Sequence, residues 1–289
     1  MAVSYDDVGK MDLSDIYDLP EPTRYFSTLS QLDYRVPQEA KPAFQQIIAA
    51  RREATGMDET KVIDIGCSYG VNAALLKYDL HIDDLVRHYD VSSALSRSEL
   101  LQRDNVYFDG PADDGLELVG VDPARRAVQY AMEAGILDGA ITTDLEDQPP
   151  TATEEKLIEG TDLVISTGCY GYITERTFSR ILDHCETSRP WMANMVLRMF
   201  DFAEAEALLQ ERGYVTEKVE GLVPQRRFVS EDEQASVLDN LAVAGIDPAG
   251  LEATGWYFAE LFVSRPREIA EALPIEQVLA LPEPLVPAL

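Results

Sequence analysis

The sequence predicts an α/β fold, a mostly parallel sheet with helices on both faces and an antiparallel strand at its end. Three observations carry that expectation. Residues 61–70, KVIDIGCSYG, put Val62, Ile63 and Ile65 in the short β-branched run of a strand buried on both faces, which Asp64 and Gly66 end and the helix opening VNAALLK follows. Two further apolar runs, in residues 116–131 and 139–147, also reach acids at their ends, Asp122 and Asp144. Strand and helix segments then alternate until a helix is followed by two strand segments, as an antiparallel closing pair requires.

Taken in order, residues 1–20 are acidic and irregular up to Pro20 and Pro22, and read as a mobile arm that orders over a ligand or partner. Residues 23–37, TRYFSTLSQLDYRVP, carry Tyr25, Phe26 and Tyr34. Two readings stand for these rings: they pack a cap onto the sheet edge, or one of them lies over the crevice and meets a cation with its π face. Residues 41–55 space Phe44, Ile47, Ile48 and Arg51 as a helix leading into the first strand. An N-terminal arm and helical cap over 1–58 therefore precede a main domain over 59–266.

Asp122 follows Gly70 by 52 positions, whereas a strand-helix-strand unit needs roughly thirty residues in all. The surplus is an insert at about 80–115 with two short helices, HIDDLVRHYD and SRSELLQRD, read either as part of a substrate lid on the sheet's end or as decoration or a dimer surface. His81 and His88 within it read as surface residues and not as a metal pair. Pro123 opens the helix after the second strand at its first turn. The fourth strand, residues 161–167, contains Ser166 and Thr167 and runs into GCYGYITERTF, where Tyr170 and Tyr172 either line a pocket or pack a loop. Cys169 has no base adjacent in sequence, and His184 and Cys185 read as structural.

WMANMVLRMF is the fifth strand, DFAEAEALLQERGY a helix, VTEKVEG the sixth strand and GWYFAELFVSRP the last. The connection between the final two is longer than a hairpin needs. It carries Arg226 and Arg227, which with Arg198 either clamp a substrate carboxylate or pair with surface acids. Residues 267–289 form a proline-broken apolar tail, read as an arm across the same or a neighbouring subunit, so a homodimer is one outcome.

The 289 residues are 46% hydrophobic, enough for one sizeable core with additions. Against 52 Asp and Glu stand 24 Lys and Arg, a net charge of −28 with no basic run longer than an arginine pair, which argues against nucleic acid as partner. Three cysteines without paired spacing, and three histidines, suggest neither a disulfide framework nor a metal site. No segment reads as a signal peptide or membrane span, so the expectation is a cytoplasmic protein without a membrane partner.

The loop after the first strand decides what the crevice binds. Asp64, Gly66, Ser68 and Gly70 make a D-x-G-x-[GS]-x-G spacing, which fits neither a dinucleotide fingerprint nor a phosphate loop. It resembles motif I of the class I S-adenosylmethionine-dependent methyltransferases, with Ser68 in place of the middle glycine. The likeness continues at Asp122 after the second strand, at Asp144-Leu145 after the third, and in the closing antiparallel pair, and it covers residues 60–265.

The resemblance implies a Rossmann-like, seven-stranded sheet with S-adenosylmethionine over the ends of the first strands. The cofactor would be held by Asp64, Gly66, Cys67, Ser68, Gly70, Asp122, Pro123, Asp144, Leu145, Ser166 and Thr167. Asp122 would take the ribose hydroxyls, Asp144 the adenine amino group, and Leu145 the face of the ring. Tyr170, Tyr172 and Tyr25 are the candidates for positioning the sulfonium or the acceptor. S-T-G-C-Y after the fourth strand differs from the D/N-P-P-Y of amino-group methylases, which leaves a small-molecule acceptor whose O, C or N nucleophile is open. Two alternatives stay open: an enzyme of the same fold that cyclises or transfers the cofactor's amino-acid moiety with release of methylthioadenosine, and a non-catalytic cofactor-binding regulator.

Overall fold

In the computed structural model, which describes residues 14–90, 95–110 and 112–280, β1 (Thr60–Ile65) forms where the β-branched run predicts it. It is the hub of the sheet. On one side it pairs in parallel with β2 (Leu116–Val121), which carries β3 (Gly139–Ile141); on the other it pairs with β4 (Leu163–Thr167), which carries β5 (Trp191–Leu197). Long apolar side chains alternate across it: Ile63 and Ile65 join one core layer, with Ile158, Phe178 and Leu209, while Val62 joins the other, with Phe44, Leu75 and Val128. A strand covered on both faces is what an uninterrupted apolar run encodes.

The connecting helices follow in order. The cap is α1 (Ser14–Tyr17), α2 (Thr23–Ser30) and α3 (Val36–Thr55); α4 (Val71–Lys77) follows β1, and the insert holds α5 (Ile82–Asp90) and α6 (Arg97–Tyr107). Then come α7 (Arg125–Glu133) after β2, α8 (Ala152–Ile158) after β3, α9 (Glu175–Leu182) after β4 and α10 (Ala203–Glu211) after β5. The closing elements are β6 (Tyr214–Lys218), β7 (Val223–Arg227), α11 (Glu231–Val243), β8 (Trp256–Pro266), α12 (Arg267–Ala272) and α13 (Ile275–Val278). Pro123 lies just before the Ala124 N-cap, so α7 opens two residues later than expected.

The sheet order is β3-β2-β1-β4-β5-β8-β6, with β8 antiparallel to both of its neighbours. The expectation of seven strands is one short, because VPQRR forms β7. β6 pairs with residues 262–266 of β8 and β7 with residues 256–259, so the two lie end to end along one edge of the same long strand. β5 reaches only to Leu197, opposite Ala259, and residues 256–258 of β8 therefore carry β7 past the carboxyl end of the parallel strands. This extension overlooks the crevice.

The cap differs from its sequence reading in three ways. Residues 14–20, assigned to a mobile arm, are tied down: the Tyr69 hydroxyl accepts from Leu19 N at 3.0 Å and donates to Leu19 O at 2.9 Å, and Asp18 accepts from Arg126 N at 2.6 Å. Residues 1–13 of that arm lie outside the described residues. The insert helices do not reach the crevice. α5 instead supports α2, with Tyr89 stacked on Phe26 at 4.6 Å, and His88 is buried, its Nε2 2.7 Å from Asp104. Asp104 also accepts from Tyr89 and Tyr130, at 2.9 and 2.6 Å, so a polar knot under the insert replaces the expected surface histidine. Finally, the tail as far as Ala280 lies on its own chain, with Val278 and Leu279 buried and Ala280 N donating to Gln46 at 2.7 Å; residues 281–289 lie outside the described residues. No helix among the described residues is long and apolar enough to cross a membrane.

Candidate active site

At the carboxyl ends of β1 to β4 the loops leave a cavity of about 660 Å³, within the range that encloses a small molecule. Gly66 and Ser68 bound it from the first loop, Asp122 and Pro123 from the second, Thr143, Asp144 and Leu145 from the third, and Thr167, Gly168 and Cys169 from the fourth. Tyr17, Asp18, Tyr25 and Tyr34 cover it from the cap, and Gln225 and Arg226 close it from β7.

The first turn has the backbone its residue types allow. Gly66 sits at φ +73°, and a Cβ there would come 2.8 Å from the Cys169 Cβ, so the close approach of two loops demands glycine. Ser68, at the position the family fills with glycine, also has positive φ, +48°. Asp122 holds that strained turn: one carboxylate oxygen accepts from Ser68 N and the other from Ala124 N, both at 2.9 Å. Burial, with Asp18 nearby, pushes the Asp122 carboxyl above the usual range despite those two bonds. Each oxygen keeps a lone pair for a ligand.

The third loop is set by one acid of the following helix and one of its own. Glu154, the capping-box residue of α8, accepts from the backbone N–H of Thr142 and Thr143 at 2.9 and 3.0 Å, and Glu146 accepts from Thr174 and Thr177. The Leu145 carbonyl accepts from Arg180. Asp144 is thereby left at the crevice mouth, exposed, with one oxygen on Glu146 N at 2.9 Å.

Asp64 lies behind the wall, fully buried. Its Oδ1 accepts from Asn72 Nδ2 at 2.9 Å, and the same amide donates to Thr167 Oγ1 at 3.1 Å. Burial, reinforced by Asp122 and opposed by the Asn72 bond, pushes the Asp64 carboxyl up to about 7. Asp64 Oδ2, Asn72 Oδ1 and Ser68 Oγ are all buried without a hydrogen-bond partner. On the cavity side burial raises the phenols of Tyr25 and Tyr34 above their ordinary pKa.

The structure brings together Gly66, Ser68, Asp122, Pro123, Asp144, Leu145, Thr167, Tyr25 and Tyr172 around one cavity. It separates others. Cys67 is turned into the core against Gly120, whose added Cβ would lie 2.5 Å from the sulfur, and Gly70 is the left-handed N-cap of α4, packed on Ile136. Ser166 donates to Asn194 at 2.8 Å inside the sheet, because alternation along β4 sends it away from Thr167. Tyr170 packs with Phe178 and Phe202 beneath the loop and does not line the cavity.

Tyr25 packs the cap, touching Tyr17, Phe26 and Tyr69 edge-on or tilted, and also lines the cavity. All three arginines singled out in the sequence pair with acids. Arg226 grips Glu233 at 2.9 and 3.1 Å, Arg227 meets Asp33 at 2.6 Å, and Arg198 meets Glu252 at 2.6 Å. Residues that sequence reasoning missed include Tyr17, Asp18 and Gln225. No local motif marks the first two; Pro224 in an overlong connection was the available sign of an irregular edge strand. Among the described residues no cluster of His, Cys, Asp and Glu could hold a metal ion.

No family model matches the chain, and no curated protein matches it. Solved structures do. The plantazolicin methyltransferase BpumL in complex with SAH is 12% identical, with a TM-score of 0.44 over 88% of this chain and 96% of that one. The YcgJ protein from Bacillus subtilis is 11% identical, with a TM-score of 0.43 over 78% and 99%. Magnesium protoporphyrin IX methyltransferase from Synechocystis PCC 6803, with bound SAM, is 14% identical, with a TM-score of 0.34 over 76% and 77%. By its own strand order and its antiparallel β8, the chain has the Rossmann-like fold that its sequence resemblance to the class I methyltransferases implied.

Proposed function

We propose that this protein is an S-adenosylmethionine-dependent methyltransferase acting on a small molecule. One observation carries the reading: Asp122, Asp144 and the Ser68 turn, from three successive strand ends, bound one cavity, and buried acceptor oxygens of Asp64, Asn72 and Ser68 lack donors beside it. A ligand for this wall must bring hydrogen-bond donors and positive charge. Ribose hydroxyls, an adenine amino group and an α-ammonium supply both, whereas a phosphate would meet Asp18, Asp122 and Asp144.

In this reading Asp122 accepts from the ribose, Asp144 takes the adenine edge, and Leu145 covers the ring. Ser68 offers its unpaired oxygen to the ammonium, with the unpaired oxygens of Asp64 and Asn72 in the layer behind it. The bound cofactor supplies an activated methyl group for in-line transfer to the acceptor. Tyr17, Tyr25 and Tyr34 exclude water and hold their rings against a cationic centre, and Thr167, Cys169 and Tyr172 border the acceptor's side.

Calorimetry with S-adenosylhomocysteine tests this. The full-length protein binds it, adenosine triphosphate binds at least about tenfold more weakly, and Asp122→Asn lowers S-adenosylhomocysteine affinity about tenfold or more. Absence of S-adenosylhomocysteine binding overturns the reading. Release of methylthioadenosine from the cofactor alone would replace methyl transfer with chemistry on the amino-acid arm.

A further inference from the structure

We propose that the carboxamide of Gln225 selects the acceptor, and that the acceptor is a small planar ring, neutral or cationic, whose edge presents a hydrogen-bonding group such as a lactam, a carboxamide or a heteroaromatic amine. The inference rests on the methyltransferase reading above and adds the substrate class.

The backbone explains why Gln225 faces the cavity. Pro224 pairs with Phe258 and Arg227 with Trp256, so Gln225 and Arg226 together oppose the single residue Tyr257. Two residues against one make a bulge, which breaks the alternation of a strand and re-aims side chains; both Gln225 and Arg226 line the crevice. The outer edge of the bulge is held by the cap. Arg35 N donates to Gln225 O at 2.8 Å, and Arg227 N donates to Leu32 O at 2.7 Å. Gln225 is placed by bonds on both of its flanks.

Its side chain is not satisfied in the same way. Gln225 is 5% exposed, and its Oε1 is buried without a hydrogen-bond partner. Gly168 makes the space: a Cβ there would lie 2.2 Å from Gln225 Nε2. The carboxamide therefore lies against the turn after β4, beside Thr167 and Cys169, with a donor and an acceptor in one plane and a ligand cavity in front. An amide left unpaired in such a place costs about 1–3 kcal/mol, which a ligand edge with complementary groups removes.

Charge and shape narrow the class. Among the described lining residues Arg226 is the one cation, and its guanidinium is matched by fully buried Glu233, while Asp18, Asp122 and Asp144 face the same space. A carboxylate acceptor finds no unmatched positive partner there. Tyr17, Tyr25, Tyr34 and Tyr172 supply the ring faces on which a flat molecule stacks.

The probes are nicotinamide, a ring with an amide edge, and benzoate, a ring of the same size with an anionic edge. Each is titrated into full-length protein saturated with S-adenosylhomocysteine. Nicotinamide binds at least about tenfold more tightly than benzoate, and Gln225→Leu weakens it about tenfold while S-adenosylhomocysteine affinity stays within about threefold. Gly168→Ala, which crowds the carboxamide without removing it, weakens nicotinamide in the same direction and covers the case of a misfolded leucine variant. Equal or tighter binding of benzoate, no binding of either probe, or nicotinamide affinity unmoved by both substitutions overturns the proposal. If S-adenosylhomocysteine itself fails to bind the wild type, the cofactor reading is what has failed, and the same probes are then compared on the protein alone.

Discussion

Replacing Asp64 by asparagine separates the energetic burden of a buried carboxyl from the role that carboxyl serves. Asp64 is fully buried with one oxygen unpaired, and burial moves its carboxyl from the ordinary 3.8 up to about 7. Below pH 4 the group is protonated in both folded and unfolded chains. Between about pH 4 and pH 7 the unfolded chain has ionised it while the folded chain keeps the proton, so folded-state stability falls as pH rises, and above pH 7 the loss levels off. About three pH units at 1.36 kcal/mol each make this about 4 kcal/mol. Urea unfolding of the ligand-free protein from pH 4.5 to 8 measures it. The stability difference between Asp64→Asn and wild type moves in the variant's favour by up to about 4 kcal/mol across that window, then stays flat. A difference independent of pH would refute the reasoning. The same ionisation strengthens attraction for a ligand's ammonium group, so wild-type affinity for S-adenosylmethionine, a sulfonium cation with an α-ammonium, rises from pH 6 to pH 8, a trend Asp64→Asn lacks.

Other substitutions test the support of the site. Glu233→Gln leaves the Arg226 guanidinium buried without its counter-charge and destabilises the protein by about 3–5 kcal/mol in urea unfolding, of which the double variant Arg226→Met/Glu233→Leu recovers most. Asp104→Leu removes the common acceptor of His88, Tyr89 and Tyr130, costs about 3 kcal/mol or more, and leaves S-adenosylhomocysteine affinity of the folded protein within about threefold. Gly66→Ala adds a Cβ at positive φ against Cys169; it costs roughly 1–2 kcal/mol from the backbone alone and abolishes S-adenosylhomocysteine binding in calorimetry.

What could be read in advance was whatever depends on short stretches. The β-branched runs placed β1, β2 and β4 because a doubly covered strand has no polar face to confuse its period, and the acids at the ends of β1, β2 and β3 followed from their strands. Asp122 and Asp144 then met in one cavity by topology alone. The expected site residues whose side chains lie away from the cavity differ in which way a side chain points. Cys67, Ser166 and Tyr170 belong to the right loops and strands yet face the core, a choice made by alternation and by neighbours distant in sequence. The insert was legible as helices but not by destination, since Tyr89 stacks on a ring 63 positions earlier in the chain, Phe26. β7 escaped notice because Pro224 and a bulge hide the period of a strand that gains its hydrogen bonds from β8 and from the cap loop.

The end-to-end placement of β6 and β7 on one edge of β8 divides labour within the protein. The wall that carries Ser68 and Asp122 is built from the ends of β1 and β2, where any change disturbs strands buried on both faces. The opposite wall is an appendage that shares a margin with β8 alone and is braced from outside by a loop. A chain built this way can exchange one wall's side chains for others while the loops at the ends of β1 and β2 stay untouched.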